Sequence, residues 1–295
     1  MTDRPYAAHE ILVAPARPGR ALWRLFAGLA MVAVIVLGLN AVLQAFVFSV
    51  APIGWAADLA TGHRPGSMLI LLGSFGFVIV GVFAAAHLVQ RRAPLGLIGP
   101  PGRAVIQFWR VLRLLLLFGL VLFALPPYDM GAPLLPNLAF GRWLMLLPLA
   151  LVAILIQVSA EEILFRGYLQ QALAARIPHP AAWLLLPSIL FALGHFVPAE
   201  AGPNAGLIAI WAGCFGILMA DLTARAGTLG PAIAVHFFNN VVALLIFSVP
   251  ESLNGLSLFI LPFSSDDTGP MRAWLAVDFA LMVLTWLVAR IAIRR

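Results

Sequence analysis

Lysine is absent from this chain, cysteine occurs once, and charged residues make up only 10% of its 295 residues. Soluble domains carry about a quarter charged residues. The shortage of charge therefore excludes a soluble enzyme, a nucleic-acid-binding protein and a disordered protein. The lone Cys214 lies in an apolar stretch, which excludes a disulfide framework and a zinc site built from several cysteines.

Apolar residues are correspondingly frequent in this chain. They make up 62% of the sequence, and the mean hydropathy is +1.01. All 18 basic residues are arginine, and the net charge is +6. These arginines occur in short clusters between apolar runs, which is the pattern that sets membrane topology. We therefore predict an integral membrane protein in a lipid bilayer, with no nucleic-acid partner.

Membrane spans follow from the length of the apolar runs, since a crossing helix needs about 20 mostly apolar residues. Eight segments qualify: 23–50, 67–90, 108–126, 143–165, 181–197, 205–224, 231–250 and 273–291. Most helix-breaking prolines fall between these segments. The sequence predicts an all-α polytopic membrane helix bundle of about eight transmembrane helices. Residues 1–295 form a single integral membrane domain without an internal repeat.

The arginines also predict the orientation. If eight spans alternate in direction, one side of the membrane receives every arginine except Arg64, Arg142 and Arg272. By the positive-inside rule, the arginine-rich side is cytoplasmic and holds both termini. The first apolar run is too long for a signal-peptide core, so we interpret it as a retained helix.

Ionisable side chains at membrane depth are costly and usually functional. Three clusters of polar residues lie in the fourth, fifth and seventh apolar runs. Each contains a pair at i,i+4 spacing, so that its two side chains share one helix face. The pairs are Glu162 with Arg166, Phe191 with His195, and His236 with Asn240. Glu161 points about 100° away from Glu162 and is free to face another partner.

The heights of these clusters can be compared along the chain. Glu161 and His195 stand at equal distances on either side of Pro178, taken as the turn between the fourth and fifth helices. In an antiparallel hairpin both therefore lie about 25 Å from the turn. His236 is only about 10 Å from its own turn near Gly230. The heights agree if the hairpin projects into the cytoplasm, which places the site in the cytoplasmic half of the bilayer.

At these residues the sequence resembles the CAAX-protease and bacteriocin-processing family of intramembrane proteases, also called the CPBP or Abi family. The family pattern is Glu-Glu-x-x-x-Arg, Phe-x-x-x-His and His-x-x-x-Asn on successive core helices, and all three motifs occur here in order. The run from Thr223 to Asn240 is also similar to the family's approach to its last motif. The resemblance covers residues 143–250, the predicted catalytic core.

The resemblance implies an activity and a set of residues. The activity is endopeptidase hydrolysis of a peptide bond at membrane depth. Eukaryotic members remove the last three residues of prenylated proteins, and bacterial relatives are linked to peptide maturation and bacteriocin immunity. The substrate would be a peptide or a membrane protein, and the location the inner or plasma membrane of a bacterial cell, in multi-pass form. The implied residues are catalytic Glu161, His195, His236 and Asn240, supported by Glu162 and Arg166.

The residue types suit amide hydrolysis in two ways. In the first, Glu161 helped by His195 removes a proton from water, while His236 and Asn240 stabilise the oxyanion. In the second, Glu161, His195 and His236 hold a zinc ion with an open position for water. The His-Glu-x-x-His spacing of soluble zinc proteases is missing. Both versions stay open at this point, either without a cofactor or with zinc, and we favour the metal-free one.

Two other functions compete with the enzyme. A catalytically silent membrane binding or immunity partner with the same fold would be expected to have lost at least one motif residue, and none is missing. A proton-coupled transporter would use Glu161 and the histidines as a relay. That function predicts an inverted repeat with broken helices, and the sequence shows none. Both comparisons favour the peptidase.

Overall fold

The computed structural model describes residues 5–52, 54–125 and 133–294. Arg4 and Arg295, which count toward the predicted cytoplasmic charge, lie outside these ranges. Within them the chain is almost entirely helical, which confirms the predicted all-α membrane bundle. One hydrophobic cluster gathers around the fourth span, where Ile154 and Val158 are fully buried.

Helices follow one another along most of the described chain. The α-helices are α1 Glu10–Val13, α2 Leu22–Val50, α3 Trp55–Thr61, α4 Pro65–Ser74, α5 Gly76–Ala84, α6 Pro101–Phe123, α7 Phe140–Glu162, α8 Gln171–Ala174, α9 Pro180–Gly194, α10 Pro198–Ala201, α11 Ala205–Ala226, α12 Gly230–Val241 and α13 Thr268–Ile293. Three π-helical segments occur at Ala85–Val89, Ile163–Gln170 and Val242–Ile246. Single 3₁₀ turns cover Ala7–His9, Ala14–Gly19, Pro94–Leu97 and Gly202–Asn204.

All eight predicted apolar segments fold as helices, but they differ in length. Six helical segments in the described chain are long and apolar enough to cross a membrane: Leu22–Val50, Pro65–Val89, Pro101–Phe123, Phe140–Ala174, Pro198–Ala226 and Thr268–Ile293. The fifth and seventh segments form the shorter apolar helices Pro180–Gly194 and Gly230–Ile246. The chain is therefore a multi-pass membrane protein with two shorter apolar helices in addition to six of span length.

The fourth span extends well beyond its predicted end at residue 165. The helix runs without a break from Phe140 to Ala174, which is 35 residues. At 1.5 Å per residue it is about 50 Å long, whereas the hydrocarbon core of a bilayer is about 30 Å thick. The next helix begins at Pro180, so Pro178 does lie in the turn. The excess length fits a hairpin that projects past the membrane.

The fifth helix is shorter than the predicted segment 181–197. It ends at Gly194, and His195 follows as the capping residue with φ −102° and ψ 2°. The physical reason is Pro198, because the ring of a proline disfavours helical backbone at the residue before it, here Val197. The second motif therefore ends at a helix terminus rather than in mid-helix.

The two ends of the chain meet on one face of the bundle. The Tyr6 hydroxyl donates to Asp221 at 2.8 Å, and the indole N–H of Trp286 donates to the same carboxylate at 3.0 Å. Arg225 donates its Nε to both Asp221 oxygens at 2.8 and 2.9 Å. The N-terminal segment, the end of α11 and the end of α13 therefore share this face, which agrees with the predicted placement of both termini on one side.

A small sheet lies on the opposite face. Strand β1 (Leu135–Pro136) pairs antiparallel with β3 (Phe259–Ile260), and β2 (Phe247–Ser248) pairs parallel with β3. The Asn137 side chain ties the loops together by donating to the carbonyls of Asn254 at 2.7 Å and Ser257 at 3.0 Å.

Close contacts fix the helices that carry the second and third motifs. A Cβ atom added to Gly230 would lie 2.1 Å from the backbone oxygen of Ala104, so α12 begins in direct contact with α6. A Cβ on Gly216 would lie 2.9 Å from the Ser188 Cβ, which places α11 tightly against α9. Small residues allow this close approach between membrane helices.

Candidate active site

The first motif spans a change of helix type. Helix α7 ends at Glu162, and a π-helical segment continues from Ile163 to Gln170. π-Helical turns are rare and are found frequently at functional sites. Both glutamates of the motif therefore lie at the end of the regular α-helix, and Arg166 lies in the wider π-helical turn that follows.

Glu162 and Arg166 form the predicted ion pair. The Arg166 Nη1 atom donates to Glu162 Oε1 at 2.9 Å, and the two side chains are 1% and 0% exposed, respectively. Arg166 also donates Nη2 to the backbone oxygen of Gly216 at 3.2 Å. Two charges buried this deeply require each other, because either one left alone would be strongly unfavourable. The pair joins α7 to α11 beneath the site.

His236 lies between the two glutamates. Its Nδ1 atom is 2.8 Å from Glu162 Oε1, and its Nε2 atom is 3.5 Å from Glu161 Oε2. A carboxylate can only accept, so Nδ1 carries the proton in the first contact. The short distances place Glu161 and His236 at the same height, as predicted from their positions along the chain. The first and third motifs therefore meet.

Glu161 is held by a glutamine that the motif pattern does not include. Gln157 lies one turn before Glu161 and donates its amide to Glu161 Oε1 at 2.7 Å. Its own carbonyl oxygen accepts from Asn240 Nδ2, also at 2.7 Å. The glutamine thus links Asn240 of the third motif to Glu161 of the first. The signal for it was present in the sequence, as a polar amide four residues before Glu161 in an apolar run.

The second motif joins the site through the ring of Phe191. Ring centres lie 4.4 Å apart for Phe191 and His195, and 6.2 Å apart for Phe191 and His236. The backbone oxygen of Phe191 accepts from His195 Nδ1 at 2.8 Å. This bond leaves His195 Nε2 as the nitrogen with a free lone pair. Among the described contacts, His195 makes no ion pair with either glutamate.

Aromatic side chains enclose the polar groups. The Phe215 ring packs edge-on against His236 with 4.9 Å between centres, and Phe191 meets Phe165 at 5.2 Å. Phe215 belongs to none of the three motifs, and its position in an apolar helix gave no sign of a contact with His236. Because apolar walls lower the local dielectric constant, charge interactions inside them are stronger than in water.

Two buried carboxylate oxygens, Glu161 Oε2 and Glu162 Oε2, have no hydrogen-bond partner within the described residues. Glu161 belongs to the more accessible side chain of the two, at 16% exposed against 0% for Glu162. Glu162 is paired with Arg166, whereas Glu161 Oε2 faces His236 Nε2 at 3.5 Å. The site therefore offers a carboxylate oxygen beside an imidazole nitrogen, a pair that can bind a water molecule and a carbonyl oxygen.

The predicted zinc ligands do not assemble in this arrangement. Within the described ranges, no group of three or more His, Cys, Asp or Glu side chains is placed to hold a metal ion. Glu161 and His236 are close, but the described contacts of His195 are with Phe191. The donor set does not fit a three-residue zinc site, and we derive no step through a metal.

The part of the chain that holds this site is similar to a known protein family. Residues 142–242 match the family described as type II CAAX prenyl endopeptidase Rce1-like. The chain is also 29% identical to the uncharacterized protein YyaK of Bacillus subtilis (strain 168) over 257 residues, which is 82% of this chain and 84% of YyaK. No solved structure matches it significantly.

The matched range begins 19 residues before Glu161 and ends just after Asn240. It includes the helices that bring Glu161, Glu162, Phe191 and His236 together. The family match supports a membrane-embedded peptidase. Residues 142–242, which carry the three motifs, are thus similar to the Rce1-like type II CAAX prenyl endopeptidases, the family that the motifs resemble.

Proposed function

We propose that this protein is an intramembrane endopeptidase that hydrolyses a peptide bond near the cytoplasmic half of the bilayer. The observation that carries the proposal is the pairing of Glu161 and His236. The free oxygen of Glu161 lies 3.5 Å from His236 Nε2 and has no other hydrogen-bond partner among the described residues. An acid and an imidazole so close together can act on water and on a carbonyl group at one point.

Glu161 is the general base in this proposal. Its open oxygen accepts a proton from water as the water oxygen bonds to the scissile carbonyl carbon. Gln157 donates to the other oxygen of the same carboxylate, which fixes the direction of the open one. His195, whose Nδ1 proton is held by Phe191, offers the lone pair of Nε2 to the same water.

His236 and Asn240 stabilise the oxyanion. Glu162 accepts the Nδ1 proton of His236 at 2.8 Å, which orients the ring. In the proposed step an Nε2–H group of His236 is the donor to the oxyanion. Asn240 uses one amide N–H on Gln157 and has a second to offer. Donors arranged in advance around a developing negative charge are often the largest contribution to such catalysis.

Collapse of the intermediate completes the reaction. The carbon–nitrogen bond breaks, and the proton held by Glu161 passes to the leaving amine. Glu161 returns to its ionised form, and the products are a new carboxylic acid and a new amine, which become a carboxylate and an ammonium group by proton exchange. The substrate would be a peptide or a membrane protein that reaches the site from the bilayer, and a bacterial inner or plasma membrane would be the setting.

The decisive experiment is cleavage by purified protein in detergent. The substrates are a peptide ending in a prenylated CAAX sequence, the same peptide without the prenyl group, and a bacteriocin leader peptide. Three site variants are made: Glu161→Gln, His195→Gln and His236→Gln. The control is Glu200→Gln, because Glu200 lies away from the site. We expect the first three to lose about 10²-fold or more in rate, with the control unchanged.

Two results would contradict the proposal. Cleavage at the wild-type rate in all three site variants would contradict the assignment of catalytic roles to Glu161, His195 and His236. Binding of a peptide without cleavage by the wild-type protein would instead favour the silent membrane partner. The prenylated and unmodified peptides separate the substrate classes, because only the lipid group differs between them.

A further inference from the structure

A basic cavity lies on the face that holds both termini, away from the polar groups of the candidate active site. Its volume is about 470 Å³, within the range of small-molecule sites. Helix α6 supplies half of its wall. The residues around it are Ala8, Arg103, Ile106, Gln107, Arg110, Arg225, Ala226 and Ile293. No acidic residue is among those that line it in the described chain.

The charge in this cavity comes from two arginines without counter-ions. Arg103 and Arg110 are exposed, and neither makes an ion pair or a hydrogen bond among the described residues. Arg225 differs from them, because both oxygens of Asp221 accept from its Nε atom. Arg103 and Arg110 are seven residues apart and so lie on one face of α6, about 10 Å apart in rise.

The wall between the two arginines is fixed in place. Gln107 donates its amide to the backbone oxygen of Ala226 at 3.4 Å and accepts a hydrogen bond from the Thr228 hydroxyl. These contacts attach α6 to the turn between α11 and α12. The two guanidinium groups therefore project from a helix that is anchored on both sides of the cavity, and not from a free loop.

The exposed side of α6 also carries large apolar side chains. Ile106 and Trp109 are exposed beside the arginines, and Leu116, Leu117 and Leu120 are exposed farther along the same span. Tryptophan beside arginine at the end of a span is typical of the membrane–water interface. A ligand that matches this surface has a negatively charged head and long apolar chains.

We propose that this cavity binds the phosphate headgroup of an anionic phospholipid, with Arg103 and Arg110 as its ligands and the exposed apolar side chains of α6 (Leu116, Leu117 and Leu120) against the acyl chains. The guanidinium fork suits phosphate, since it can donate two parallel hydrogen bonds. Basic pockets between membrane helices on the cytoplasmic side are known to hold anionic headgroups. This site is separate from the proposed peptidase chemistry and does not depend on it.

The test measures lipid retained by the purified protein in neutral detergent, by native mass spectrometry. Phosphatidylglycerol is compared with phosphatidylcholine of the same chain length, and inorganic phosphate is added as a competitor. We expect the anionic lipid to be preferred, and millimolar phosphate not to displace it. Equal retention of the two lipids would overturn the proposal, and full displacement by phosphate would overturn its assignment to a lipid.

Variants locate the site. Arg103→Gln combined with Arg110→Gln is expected to weaken binding of phosphatidylglycerol by about fivefold for each arginine removed. Arg113→Gln is the matched control, because Arg113 lies on the same helix but outside the cavity and donates to the backbone oxygen of Trp109. An equal loss of phosphatidylglycerol binding in Arg113→Gln would show that the lipid is attracted by the positive surface in general. That result would overturn the assignment of binding to this cavity. The comparison of lipids on the wild-type protein tests the proposal even if the double variant fails to fold.

Discussion

The guanidinium carbon of Arg166 lies 5.0 Å from the centre of the Phe191 ring. The same ring contacts the imidazoles of His195 and His236. One phenyl group therefore touches a residue from each of the three motifs. This contact brings the three motifs, which lie on different helices, together at one ring.

The buried pair Glu162–Arg166 gives a prediction about stability. Arg166→Met leaves the buried Glu162 carboxylate without its arginine counter-ion, with only His236 beside it, and breaking a buried ion pair in this way costs about 3–5 kcal/mol. The double variant Glu162→Gln and Arg166→Met removes both buried charges. We therefore expect it to lose less of the free energy of unfolding than Arg166→Met does. Both are measured by denaturant unfolding of the purified protein in detergent. Arg17→Met is the control, because its partner Glu10 and Arg17 itself are about half exposed.

That prediction fails if the double variant is less stable than Arg166→Met. Such a result would mean that the contacts of Arg166 with Gly216 and with the Phe191 ring matter more than the neutralisation of Glu162.

Gln157 gives a prediction about activity. Gln157→Leu removes the donor to Glu161 and the acceptor of Asn240 together, so both groups lose their orientation. We expect the cleavage rate to fall about tenfold or more, because small displacements of reacting groups are costly. Gln170→Leu is a matched control, since Gln170 is also buried but donates to the backbone oxygen of Ala220. A rate per folded molecule that falls equally in both variants would refute a specific role for Gln157.

The N-terminal segment gives a prediction about pH. Burial lowers the pKa of His9 to about 4, against a small opposing effect of Glu10. In the unfolded chain this histidine binds a proton near pH 6.5. Below that pH the unfolded state holds a proton that the folded state does not, so stability is full above pH 6.5 and falls as the pH is lowered toward 4. At pH 5 the loss is about 2 kcal/mol.

Unfolding at pH 7 and pH 5 checks this loss. His9→Phe preserves the ring that packs against Trp183, where the centres are 4.5 Å apart, but it has no proton to bind. The variant should therefore lose less stability on acidification than the wild type. An identical pH dependence in the two proteins would assign the effect to other groups.

Removal of metal ions gives the last prediction. The described residues form no group of three metal-binding side chains, and Glu162 is paired with Arg166 while Glu161 Oε2 faces His236 Nε2. We therefore expect cleavage to survive exhaustive chelation. Activity that disappears with the chelator and returns only with zinc would contradict the metal-free mechanism and restore the role of His195 as a ligand.

The sequence predicted the features that depend on spacing and composition. The order of the apolar helices, the pairing of Glu162 with Arg166, and the equal height of Glu161 and His236 all follow from regular rises along the chain. The contact of Phe191 with His195 follows from their i,i+4 spacing. In each case the local backbone is helical or nearly so, which is why counting residues gives the right geometry.

Other features depend on tertiary contacts that spacing does not encode. The π-helical segment Ile163–Gln170 has no apolar period of its own, and the bonds of Gln157 require Asn240 from another helix. Phe215 packs against His236 across the contact between α11 and α12, two helices whose pairing the sequence pattern does not encode. The two-residue strands are too short to produce an alternating pattern, so the small sheet could not be seen in the sequence.

Asp221 accepts hydrogen bonds from Tyr6, near the start of the chain, and from Trp286, near its end. Trp286 is synthesised long after Tyr6 and Asp221, so the three-residue junction can form only once α13 has been made. A variant that lacks α13 would leave Asp221 without its indole donor, while the hydrogen bond from Tyr6 could still form.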